Sequence, residues 1–106
     1  MTAPLTLNDE TVREQFLDTD RVVVFRTTPR ETGRTAWRES DASPDRDAVL
    51  VSEIGVVETG NDASLRSYRR LAGFSSIAAW RDALRDEHGI LPDVGYLYYV
   101  ARPPTK

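Results

Sequence analysis

The apolar positions of the chain form blocks whose spacing predicts two helices and three strands. In "LNDETVREQF", Val12 and Phe16 stand four apart, the spacing of one helical face. Asn8 is placed as the N-cap, Asp9 and Glu10 suit the positive end of the helix dipole, and Leu7 with Val12 makes a hydrophobic staple. This helix is expected to end near Asp18. "RVVVFRT", residues 21–27, is β-branched and aromatic and reads as a largely buried strand. "AVLVSEIGVVE" reads as a second strand, with Gly55 a candidate bulge where the sheet curls. Ser75 or Ser76 caps a second helix carrying Ile77, Trp80 and Leu84 on one face, and Gly89 follows it as a C-terminal stop. "GYLYYVA", residues 95–101, is the third strand.

The connections are less regular. Pro29, Gly33 and "SDASPDRD" predict an irregular link of about twenty residues, a length that is usually functional or mobile. Residues 65–71 fit either a strand or a short helix. Two short helices do not cover both faces of a doubly wound sheet, so the expected fold class is α+β, a small curled sheet or barrel in a single domain over residues 1–106.

Composition narrows the class further. With 106 residues, 40% of them hydrophobic and 29% charged, the chain suits one soluble globular domain. No apolar run is long enough to cross a bilayer, so no membrane partner is expected. The start "MTAPLTLNDE" has neither the basic flank nor the apolar stretch of a secretory signal, and there is no cysteine, so a cytoplasmic location is expected. The lone histidine, His88, argues against a histidine-built metal site or a Ser-His-Asp triad; no metal and no cofactor are expected.

Charge changes the picture more. The net charge is −3, yet residues 21–38 hold five arginines against Glu31, and residues 63–81 hold four arginines and no acid. Guanidinium forks bind phosphate bidentately, so Arg26, Arg30, Arg34 and Arg38 in the first segment and Arg69 and Arg70 in the second are candidate nucleic-acid contacts, provided that the fold brings the two segments together. The alternative is a solvated loop compensated by neighbouring acids. Trp37 is either a stacking platform for an unpaired base or an anchor for the long link, and Tyr68 carries the same two readings. Trp80 is read as core, His88 as a helix-end residue, and Glu53 and Glu58 as surface carboxylates.

"AGFSSIAAWRDALRDEHGILPDVGYLYYV" resembles the closing segment of ASCH domains, members of the PUA-like β-barrels, through Gly73, Phe74, Ser76, Trp80 and residues 96–100. "VVVFR" and "DRDAVLV" resemble earlier parts of that family, so the likeness spans residues 20–101, after an N-terminal helical segment over 1–19. The resemblance implies a PUA-like β-barrel and RNA as partner. Some family members are small amidohydrolases acting on acylated cytidine, with an approximate Gly-x-Lys-Thr-x-Glu-x-Arg motif. Laid on Arg26, that motif finds Arg21 at the lysine, Val22 at the threonine and Val24 at the glutamate. Arginine neither abstracts a proton nor attacks as an amine, and Lys106 is a poor replacement, so no catalytic residue is expected. The reading is a non-catalytic RNA-binding module; a hydrolase drawing on Thr27, Thr28, Thr35 and Glu53, or a protein-interaction module, are the alternatives.

Overall fold

The computed structural model describes residues 3–104; Lys106 lies outside them. Nine elements follow in chain order: β1 (Leu5–Thr6), α1 (Glu10–Thr19), β2 (Arg21–Arg26), β3 (Gly33–Arg38), β4 (Ala48–Glu58), α2 (Asp62–Arg66), α3 (Arg69–Ala72), α4 (Ile77–His88) and β5 (Val94–Ala101). The fold is α+β: a five-stranded sheet in the order β1-β3-β4-β5-β2, curled into a half-barrel, with four short helices. β1 runs parallel to β3, and the other pairings are antiparallel.

Alternation along the strands divides the interior in two, because successive side chains point to opposite faces. Val22, Val24, Trp37, Val49, Val51, Tyr98 and Val100 fill the concave side with Leu5, Leu7 and Phe16. Val23, Phe25, Val57 and Leu97 meet Leu65, Ala72, Phe74, Trp80 and Leu84 of the helical layer on the convex side. Both faces of β5 are therefore covered, and none of its three tyrosines, Tyr96, Tyr98 and Tyr99, is exposed. The run "VVVF" is apolar at every position for the same reason: β2 is buried on both sides.

Local signals set the element ends. Asp9, one residue beyond the expected Asn8, caps α1 by accepting from the Val12 amide at 3.2 Å. Ser76 Oγ accepts from the Ala79 amide at 3.0 Å and starts α4. The bulge lies between Glu53 and Gly55, as the glycine suggested.

Two expectations need correction. There are four helices rather than two, because residues 65–71 contribute to α2 and α3, which pack on β4, β2 and α4. The supposed twenty-residue link also contains β3, whose Thr35 and Trp37 point into the core while Arg34, Ala36 and Arg38 alternate outward. Two arginines among six residues disguised that period as a polar loop.

Candidate ligand-binding seam

β1 and β2 are the two edges of the sheet, and unpaired edges need a cover. Between them lies α1, whose Phe16 fills the concave core. The remaining cover is made of arginines. Arg26 Nη2 donates to the Thr6 carbonyl at 2.7 Å, and its Nη1 donates to the Phe25 carbonyl at 2.9 Å. Arg30 Nη2 donates to the Ala3 carbonyl at 3.0 Å, and Arg13 Nη1 to the Leu7 carbonyl at 2.9 Å. Three guanidiniums thus bond carbonyls of residues 3–7, two of them reaching across from β2 and the loop that follows it; the Ala3 carbonyl also accepts from Thr35 Oγ1 at 3.0 Å.

The loop itself is tied down by the Arg30 amide, which donates to the Tyr98 hydroxyl at 2.8 Å, and by Arg30 Nε, which donates to the Glu31 carbonyl at 3.0 Å. Burial pulls the pKa of Arg26 below the usual guanidinium value, against the opposing field of Glu87. Burial does the same for Arg30, opposed by Tyr98 and Glu31. Both remain protonated at neutral pH.

Beside this seam opens a cleft of about 540 Å3 lined by Pro4, Thr6, Asn8, Arg26, Arg30, Ser40, Asp41, Glu87 and His88. Pro4, Thr6 and Asn8 face it because Leu5 and Leu7 face the core. Thr6 Oγ1 donates to Asp41 Oδ1 at 3.2 Å, and Arg38 joins them through Nε to Thr6 Oγ1 at 3.1 Å and Nη2 to Asp41 Oδ1 at 3.3 Å. His88 Nε2 lies 3.0 Å from Glu87 Oε2. The walls therefore mix guanidinium, hydroxyl, amide, imidazole and carboxylate groups, a size and chemistry suited to a small polar ligand.

The remaining residues singled out by the sequence fall elsewhere. Trp37 is fully buried, its indole N–H donating to Asp47 Oδ1 at 2.9 Å and its ring edge-on to Phe16 at 5.4 Å. It anchors the sheet and presents no face to a base; the stacking reading of Trp37 is corrected. Tyr68 is half-buried against the helical-layer core. Arg69 Nη1 donates to the Phe74 carbonyl at 2.7 Å, closing the end of α3. Arg34 and Arg70 are exposed, with no side-chain partner among the described residues.

α3, which carries Arg69 and Arg70, packs on β2 within the first basic segment and on α1, α2 and α4, whereas β3, which carries Arg34 and Arg38, packs on β1 and β4. The sheet order explains this, since β4 and β5 intervene between β3 and β2. Of the enzyme-motif positions, Val22 and Val24 are core; of the hydrolase candidates, Thr35 Oγ1 donates to the Ala3 carbonyl at 3.0 Å.

The sequence reading missed Thr6, Asn8, Ser40, Asp41 and Glu87. The alternation in "PLTLN" was the available signal for the first two. Ser40 and Asp41 follow β3, and Glu87 lines the cleft from the last turn of α4.

Compared with known proteins, the chain matches no family model, no curated protein and no solved structure. No helix among the described residues is long and apolar enough to cross a membrane.

Proposed function

We propose that this chain is a non-catalytic RNA-binding module of PUA-like type that receives an unpaired nucleotide in the cleft beside the β1–β2 seam. The observation that carries the reading is the pair of desolvated guanidiniums at that cleft. Each of Arg26 and Arg30 makes two hydrogen bonds within the fold, and a guanidinium carries further N–H donors. Arg30 is the better placed to give them to a phosphate, because it is the more exposed to solvent. Thr6, Asn8, Ser40 and Asp41 offer donors and acceptors suited to a base edge, and an unpaired base is the form of RNA that such groups read. Arg34, exposed on β3, is a second phosphate contact.

This footprint is smaller than eight residues drawn from two basic segments. The log–log salt dependence scales as roughly −0.7 per phosphate neutralised on a single strand, so contacts from Arg30 and Arg34 give a slope of about −1.4. Titration of a labelled single-stranded RNA at several salt concentrations tests this. Arg34→Ala is expected to flatten the slope by roughly 0.7 while leaving the fold intact. No measurable binding at low salt, or a slope unchanged by Arg34→Ala and Arg30→Gln together, overturns the reading.

The geometry favours binding over hydrolysis. The hydroxyl–carboxylate pair at the cleft, Thr6 Oγ1 to Asp41 Oδ1 at 3.2 Å, is tied to Arg38, which donates to both partners, so neither group is left free to attack or to take a proton.

A further inference from the structure

β4 is longer than its neighbour. β3 pairs with it only from Ala48 to Val51, so residues 52–58 continue with β5 on one side and, among the described residues, no strand on the other. No backbone hydrogen bond outside the β5 ladder involves residues 52–57 among the described residues. Such an edge is a template for an added strand.

Its side chains are specific. Alternation across the bulge sets Glu53, Val56 and Glu58 on one face, opposite Tyr98, Tyr96 and Val94 of β5. Val56 is 63% exposed and stands between the two carboxylates, and Val94, opposite Glu58, is 48% exposed.

We propose that this edge receives an extended, basic peptide segment of a protein partner, carrying an apolar residue flanked at alternate positions by arginine or lysine. Main-chain hydrogen bonds to residues 52–57 supply the pairing; the apolar residue covers Val56 and the two cations face Glu53 and Glu58. Charge selects this occupant over a second copy of the chain. Two copies paired antiparallel about Val56 set Glu58 of one against the Glu53–Ile54 bulge of the other, and in-register parallel pairing sets each glutamate against itself; like charges across a strand pair are repulsive. The same repulsion keeps the free edge from self-association. The bulge confines pairing to a short stretch, so side-chain complementarity decides which segment is accepted.

The test uses two synthetic heptapeptides, one with arginine, valine and arginine at alternate positions between threonines, the other with glutamates in place of the arginines. Amide shifts of the isotope-labelled protein are followed by NMR during each titration. The basic peptide is expected to move the amides of residues 52–58, and the acidic one to bind at least about tenfold more weakly, since two favourable cross-strand pairs become two repulsive ones. The Glu53→Lys, Glu58→Lys double variant is expected to reverse the preference, and Arg30→Gln to leave it unchanged, which separates this edge from the RNA cleft. Equal binding of both peptides, shifts confined to other elements, or concentration-dependent dimerisation through residues 52–58 overturns the proposal. Should the double variant not fold, the contrast between the two peptides on the natural chain decides the matter alone.

Discussion

The guanidinium of Arg26, at the end of one edge strand, donates to the carbonyl of Thr6 on the other at 2.7 Å. With Arg30 on Ala3, it spans the gap that a strand ladder would close in a full barrel. Positive charge gathers in this acidic chain because a guanidinium can reach a carbonyl that no backbone amide meets. Function, in this account, is built on the donors those arginines have left over.

Arg26→Gln is expected to lower the free energy of unfolding by about 2–3 kcal/mol, because hydrogen bonds from a charged donor are lost at a buried seam. Urea denaturation measures the change. A loss below roughly 0.5 kcal/mol, the level of an ordinary surface substitution, contradicts a structural role for Arg26.

Both tryptophans are buried, so their fluorescence is expected to resist acrylamide quenching and to change little when RNA binds. Trp37→Ala is expected to cost about 3–5 kcal/mol. Strong quenching by RNA contradicts the placement of Trp37.

Asp47 links pH to stability. The indole N–H of Trp37 holds its carboxyl below the ordinary value, partial burial opposes this, and Arg102 adds to the lowering. A carboxyl with a lowered folded pKa stabilises the fold above its unfolded value of about 3.9, and that contribution is lost as pH falls through the folded pKa. Asp47→Asn keeps an acceptor for the indole and removes the charge facing Arg102. The variant is expected to be less stable than the natural chain at pH 7, by under about 1 kcal/mol because the group is well solvated. The gap is expected to close progressively below about pH 4. A gap that persists undiminished at about pH 2 contradicts the assignment.

At Gly95, opposite Val57, an added Cβ would overlap the ring of Phe25. Gly95→Ala is therefore expected to destabilise by about 1–3 kcal/mol through overpacking. Gly60, with nothing near its missing Cβ and no positive φ, is the control, and Gly60→Ala is expected to change stability little. Similar melting temperatures for the two variants contradict the packing of β5 on Phe25.

Much of the fold was legible because its signals are local. Val12 with Phe16, the Ser76 cap, the valines of β2 and the Gly55 bulge each depend on neighbours in sequence. β1 was illegible because two residues carry no period, and β3 because Arg34 and Arg38 alternate with its core residues. The seam was hidden for a different reason: it joins Thr6, Arg26, Arg30 and Glu87, which only the curl of the sheet makes neighbours. The sheet order sets α3, with Arg69 and Arg70, against β2 and away from β3, so the linear charge pattern could not say which arginines are neighbours.

The most direct test is the arginine side-chain 15N–1H NMR spectrum of the free protein at low temperature. Arg26 and Arg30, each held by carbonyl acceptors at the seam, are expected to give resolved guanidinium signals protected from exchange, while Arg34 and Arg70 give averaged, rapidly exchanging ones. If Arg26 and Arg30 are indistinguishable from Arg34 and Arg70, the seam is not closed by arginines, and the binding cleft built on it loses its foundation.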